Sequence, residues 1–488
     1  MATRTGSTPP APSRGLPPWN VADMPEPRPF TFRNVMAVIG PGAIMLSMSI
    51  GSGEWHFGPA TVVRYGAALM WVVTLGILLQ LVLNLQFIRY TMYTGEPTAV
   101  GFMRTWPGPA FWATVYILLA LSQNGWPGWA ALSASSIFSV VNGRVPGPGD
   151  QGALLAFGYL TFGLTLLVVT FGGKIERTLE WVNWFMVAFI VLFLLTVNLL
   201  FVPWSVWGDV LWGHFQFGYF PPGADWVLIG ALAGFAANGG IGNVGTSNYI
   251  RDKGLGMGST VGYIPSAVGG RTVKVSPVGT VFPPTAENMS RWRTWWRYLL
   301  ADQVALWAVG CFVGMYLNVV LAAAVIPPGT DMSGVAAGSL QADFLGRVAG
   351  PLARMLTLLT GFWVLFGSQL TITDLLVRFS TDILWSGSGR VRRWARDDIR
   401  RVYYTLIVSV AVWGCVAINL ARPATLLAIS ANAAGFILMV AGTHILFVNH
   451  RLLPKEVRGP WWERAGVAAA VVFYAFFFWK NVERLAGL

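Results

Sequence analysis

Apolar residues in this chain run in long blocks separated by short polar stretches, most of them basic. Residues 67–88 and 181–202 each match the ~20 consecutive apolar positions that a helix needs to cross a bilayer. The blocks predict eleven spans: 34–65, 67–89, 109–141, 152–171, 180–203, 225–250, 299–326, 350–378, 402–420, 423–449 and 461–481. The first and sixth are interrupted by small and polar residues. The third contains Pro127-Gly128 and reads as one long kinked helix, because 33 residues are too few for two spans and a turn.

Composition supports the membrane reading. Hydrophobic residues make up 55% of 488 and charged residues 11%, against about a quarter charged in a soluble domain. The net charge of +12 does not mark nucleic-acid binding, because the basic residues lie between spans instead of clustering in a folded module. With the N-terminus inside, 26 of the 33 Lys and Arg fall on inner segments and 7 on outer ones, as the positive-inside rule requires. Splitting the third span would place the most basic loops, 251–297 and 378–401, outside. The two cysteines, Cys311 and Cys415, sit in apolar spans and offer neither a disulfide framework nor zinc spacing.

The domain organisation follows. Residues 1–32, proline-rich and poor in apolar material, are expected to form a disordered cytoplasmic tail, with no apolar stretch for a cleavable signal. Residues 33–484 form a single transmembrane domain with a long cytoplasmic connector at 251–297, in which Arg271-Thr272-Val273-Lys274-Val275 alternates like a short hairpin. Aromatic clusters at Trp292, Trp295, Trp296 and Trp461-Trp462 read as interfacial anchors.

The candidate chemistry lies in the two interruptions. The first span carries Ser49-Ile50-Gly51-Ser52-Gly53-Glu54-Trp55, and the sixth Phe235-Ala236-Ala237-Asn238-Gly239-Gly240-Ile241-Gly242-Asn243. Unwound backbone in mid-membrane survives only where protein or a water-filled cavity satisfies it. Two such breaks, five spans apart, point to an inverted-repeat transporter with its substrate between them. Packing of small residues between helices is the competing account of the glycines. Gly51, Ser52, Gly53, Glu54, Ala237, Asn238, Gly239 and Asn243 are the candidate substrate-binding residues, with Glu54 and Asn238 the candidate metal ligands. An intramembrane carboxylate costs ~2.5 kcal/mol or more to insert, so Glu54 reads as functional; the alternative is an interfacial position near a helix end. Asn238 and Asn243 can coordinate a cation or cap the half-helices. Gln123, Asn124 and Gln369, with Ser368, Thr371, Thr373 and Asn432, can line the cavity or bond between helices. Asp302 and Asp374 are expected to pair with loop arginines, and His444 to be a bonded packing residue. His56 is a candidate outer-gate or proton group.

Gly40-Pro41-Gly42, the stretch after it, and Arg64-Tyr65-Gly66 leading into Leu69-Met70-Trp71-Val72 resemble the Nramp divalent-metal transporters. So do Thr94-Gly95-Glu96 and Ser368-Gln369-Leu370-Thr371-Ile372-Thr373. The resemblance, covering about 33–450, implies an all-α integral membrane protein with the leucine-transporter fold. That fold has about eleven transmembrane helices in two inverted five-helix repeats, with helices 1 and 6 broken. The sequence departs from the family at the site. Gly51-Ser52-Gly53-Glu54 stands where the family has Asp-Pro-Gly-Asn, and no Met or His lies between Leu232 and Ser247, where the family has Met-Pro-His. The acids of the family's third helix are also missing, leaving Gln123 and Asn124.

The oxygen ligands left suit hard ions better than Mn²⁺ or Fe²⁺, and Mg²⁺ binds while keeping much of its water. The expectation is therefore a secondary transporter for a hard divalent cation such as Mg²⁺. The alternative is a carrier of a small polar organic solute or anion with Glu54 as coupling group. The four histidines are too scattered for a catalytic cluster, so no enzyme and no cofactor are expected. The expected partners are a small ion or solute and membrane lipids, without nucleic acid. The expected location is a bacterial-type inner membrane, with the N-terminus cytoplasmic.

Overall fold

The computed structural model describes residues 15–51, 53–171, 174–270, 273–332 and 339–485. Residues 1–14 of the expected tail, Ser52 and the Arg271-Thr272 part of the expected hairpin lie outside the described residues. Among the described residues, eight helices are long and apolar enough to cross a bilayer, and the bent first span makes nine. The third and sixth spans, each divided into two shorter helices, bring the number to the eleven expected. Side chains such as Leu192 and Val472 are 67% and 69% exposed, as a surface facing lipid tails allows. The chain is a multi-pass membrane protein.

The third span is broken outright, not kinked: Pro109–Asn124 and Gly128–Asn142 are separate helices. Pro127 has no N–H to continue the first of them. The two do not fold back on each other; both pack along the eighth and tenth spans, so together they make one crossing.

The first span is led in by a short helix over Phe32–Val38, bends, and restarts at Pro41, whose fixed φ suits the first helical position. It is helical over Pro41–Ser49, interrupted, and resumes through a π-helical turn, Gly53–Phe57, into Gly58–Tyr65. The sixth span is helical over Trp226–Gly234 and Ile241–Lys253. Asp225 caps its start by accepting hydrogen bonds from the Val227 and Leu228 N–H groups at 3.1 and 3.3 Å. The segment 41–49 packs on 241–253, while 53–65 packs on 226–234. The two broken helices therefore run antiparallel with their interruptions side by side, as an inverted repeat demands.

The N-terminal face departs from expectation in three places. Residues 15–31 are not a loose tail. They form an extended strap in which Asn20–Val21 pairs in parallel with Thr280–Val281. Met24 is fully buried, and its N–H donates to Asn288 at 3.0 Å. The seventh span starts early, as a helix over Ala286–Leu300, which shortens the connector to 254–285. Trp292 and Trp295 are consequently buried rather than interfacial. Trp295 donates to the Pro25 carbonyl at 2.9 Å beneath the strap. Trp461 and Trp462 are exposed.

A buried ion pair fastens this face. Glu96, in the loop after the second span, binds Arg104. Arg104 also donates to the Pro17 carbonyl at 2.9 Å and lies under Trp19. The Gly279 N–H reaches Glu96 at 2.8 Å. Burial alone would raise the Glu96 pKa, but the Arg104 charge and hydrogen bonds from Arg104, Tyr90 and Gly279 together hold it below its ordinary value of 4.5. A carboxyl depressed in the folded state contributes stability above its unfolded pKa that is lost as pH falls through the folded value. The clasp should therefore hold at neutral pH and fail only in acid. Glu96→Gln should cost ~3 kcal/mol or more at pH 7, because it strands a buried guanidinium. Thermal melts against pH check this: the variant should also lose part of the stability gain seen as pH rises from acid to neutral.

Candidate functional site

The first interruption is built around Glu54. Its side chain is fully buried, and Oε2 turns back to accept the Gly51 N–H at 3.2 Å. The same N–H also donates to the Ser49 carbonyl at 2.6 Å, so the carboxylate shares a backbone donor at the break. Oε1 has no hydrogen-bond partner among the described residues. The flanking glycines are required by close approach. A Cβ on Gly51 would strike the Ser368 hydroxyl, and one on Gly53 would land on the carbonyl oxygen of Phe235 in the other broken helix.

The second interruption is held by side chains from four other helices. Gly239 and Gly240 take φ of +70° and +51°, values that favour glycine. Gln123 bridges the gap, donating to the Gly239 carbonyl at 3.1 Å and accepting the Ile241 N–H at 2.8 Å. Gln80 accepts the Gly239 N–H at 2.9 Å. Asn238 links the two breaks. It donates to the Met45 carbonyl at 3.0 Å and accepts from the Ser49 hydroxyl at 2.8 Å and from the Trp307 indole. Ala237 is buried beside it.

Asn243 starts a polar chain that reaches the base of the first span. It donates to Asn84 at 2.9 Å, Asn84 donates to Gln303 at 3.0 Å, and Gln303 donates to Asp302 at 2.9 Å. Asp302 in turn accepts the Gly40 and Gly42 N–H groups, both at 3.1 Å. Asp302 thus caps a helix 260 residues away in the chain instead of pairing with a loop arginine. Asp302, Gln303 and Trp307 all project from one π-helical segment, Ala301–Ala308, which sequence reasoning did not single out. The signal for Gln80 and Asn84 was available: two amides one helical turn apart, on one face of a mostly apolar span.

The remaining candidates divide. Asn124 and Gln369 are buried and border one small cavity. Ser368 donates to the Met48 carbonyl at 3.2 Å, supporting the first break from behind. Asp374 pairs with Arg378 on its own helix, not with a loop arginine. His444 is a packing residue, bonded to Thr105 and Tyr116. Asn432 bonds between helices, donating to the Val227 carbonyl and accepting from Asn481.

A vestibule of about 570 Å³ opens on the face opposite the strap. His56 and Phe57 of the π turn form part of its wall, with Arg64 and Asp225 paired at 2.9 Å. On the strap side a buried cluster of arginines and aspartates closes the space between the sixth and eighth spans. Among the described residues, no three His, Cys, Asp or Glu side chains gather as a metal cage. The arrangement sets one buried carboxylate, Glu54, beside two interruptions whose backbone groups are held by amide side chains.

No protein-family model matches the chain, and no curated protein sequence matches it. Solved structures do match. Two variants of the manganese transporter of Eremococcus coleocola superpose with TM-scores of 0.61 and 0.63 at 14% identity, over 95% of this chain and 90% of theirs. The same transporter in complex with an aromatic bis-isothiourea compound gives 0.60 at 13% identity, over 96% and 91%. The chain therefore shares the leucine-transporter fold of that transporter over nearly its whole length.

Proposed function

We propose that this chain is a secondary active transporter that works by alternating access and carries a hard divalent cation such as Mg²⁺. The observation that carries the reading is Glu54, a fully buried carboxylate at a helix break with one oxygen left without a partner among the described residues. One carboxylate with carbonyl and amide oxygens suits an ion that keeps several waters. The Eremococcus coleocola protein is a manganese transporter by name. Here the absence of Met and His between Leu232 and Ser247 shifts the preference away from such a metal. In this reading Glu54 is the charged ligand. Asn238 either lends its amide oxygen or holds the two breaks in register for it. The strap face is cytoplasmic, as its basic loops require, and the vestibule faces outward.

A small polar organic solute is the second reading, favoured by the vestibule. Its volume of about 570 Å³ falls within the range of small-molecule sites, and it holds the Arg64–Asp225 pair.

Flux into liposomes separates the two. Saturable Mg²⁺ uptake is expected, falling ~10-fold or more in Glu54→Gln, a change of ~1.4 kcal/mol or more. Unaltered Mg²⁺ flux in that variant would sink the cation site. Solute uptake that persists in chelator would establish the second reading.

A further inference from the structure

Behind the two breaks, between the third, fourth, eighth and ninth spans, lies a cavity of about 20 Å³. Asn124 and Gln369 enter it from opposite helices, and both are more than nine-tenths buried. All four of their amide atoms, Oδ1 and Nδ2 of Asn124 and Oε1 and Nε2 of Gln369, lack a hydrogen-bond partner among the described residues. The rest of the wall is largely aromatic, with Trp126, Trp129, Phe162 and Trp413. Two of those indoles are already committed: Trp126 donates to the Ser122 carbonyl at 2.9 Å, and Trp413 to the Gly125 carbonyl at 2.8 Å. Two buried primary amides with no protein partner are costly, by ~1–3 kcal/mol for each unsatisfied group. Such groups in native proteins are met by ordered water when space allows.

We infer that this cavity is a water-binding site, in which one or two ordered water molecules bridge Asn124 to Gln369. The volume exceeds the ~10–15 Å³ needed for one water and is too small for an organic solute. The donor set is balanced, with two NH₂ groups and two carbonyl oxygens, and matches a neutral molecule that both donates and accepts. No charged side chain lines the cavity, so a bare ion would be buried without a counter-charge.

Position gives the site its role. Asn124 follows Gln123, which bridges the sixth-span break, and Gln369 follows Ser368, which supports the first-span break. The helices that hold the two breaks are thus joined sideways through water rather than by a direct side-chain bond. A water bridge is nearly as favourable as a direct bond and can re-form in a new geometry when either break shifts. The inference is independent of what is transported.

The test is a double-mutant cycle on the full chain in nanodiscs, with thermal melting as the readout and density at the site as the direct observation. Asn124→Leu or Gln369→Leu alone strands the facing amide and should lower the melting temperature by several degrees. The double variant removes both amides and should melt closer to the parent than either single variant, with bridging density present in the parent and gone in the double. Additive losses with no bridging density would overturn the inference. Density that strengthens anomalously when rubidium or thallium replaces other cations would also overturn it, by placing a monovalent ion there.

Discussion

Arg378→Met is expected to lower stability by ~3–5 kcal/mol, the cost of breaking a buried ion pair from one side. Arg378 is fully buried. Its guanidinium binds Asp374 at 2.9 and 3.0 Å and also Asp252. Arg251 binds Asp252 and holds Asp382 at 2.8 Å. Asp374 takes further hydrogen bonds from Tyr249 at 2.8 Å and from Tyr403, while Asn248 donates to Asp382 at 2.7 Å. Three carboxylates thus share two guanidiniums, and the tyrosine and asparagine donors offset the excess negative charge. Methionine in place of Arg378 keeps most of the volume but leaves three buried carboxylates facing one arginine. A second change, Asp374→Asn, returns the cluster to its original charge sum, so the double variant should recover much of the loss.

Melting in detergent checks both, and a single variant as stable as the parent would mean that the cluster is not buried as described. The functional consequence follows from where the cluster sits. It ties the second half of the sixth span to the eighth and ninth on the strap face, so any state open to that face must separate or move these pairs together. The single variant should therefore leak substrate across reconstituted membranes more than the balanced double.

How much of this was readable from the residues alone depends on range. The spans were, because ~20 apolar residues have few uses other than crossing a bilayer. The breaks were, because Gly51, Gly53 and Glu54 make no sense in a continuous lipid-facing helix. The partners of those breaks were not. Asp302 meets Gly40 and Gly42 across 260 residues or more, and no local pattern announces that an aspartate caps a helix elsewhere. Asn238 and Gln123 were flagged for polarity in the right places, yet polarity alone does not distinguish a ligand from a clamp. In the fold, both amides are engaged with backbone. The strap departs from the expected disorder for a physical reason. Proline-rich composition excludes helix and predicts disorder, but it equally suits an extended segment when aromatic side chains such as Trp295 and Tyr298 are waiting to bind its carbonyls. The third span was read as kinked because proline kinks helices, whereas Gly125 and Pro127 together end one helix and begin another.

Gly53→Ala is expected to impair transport severely while leaving the chain folded. The added methyl would sit on the Phe235 carbonyl oxygen, and backbone cannot swing aside as a side chain can. One broken helix must be displaced from the other, at the ~1–3 kcal/mol typical of overpacking. That displacement falls at the contact between the two interruptions, beside Glu54. Gly242→Ala is the control, because its closest contact would be the terminal carbon of the Met48 side chain, which is flexible enough to move, with the Asn238 Cβ next at 3.0 Å and no backbone atom among its nearest contacts. Both variants add one carbon beside a break, so a difference between them isolates backbone contact from crowding. Uptake in liposomes should fall by roughly tenfold or more in Gly53→Ala, equivalent to ~1.4 kcal/mol at the site, and by much less in Gly242→Ala. Equal losses would show that the interruptions tolerate no added volume anywhere. Equal retention would mean that the breaks separate during transport without needing this contact, and Glu54 would then have to be positioned by its own turn alone.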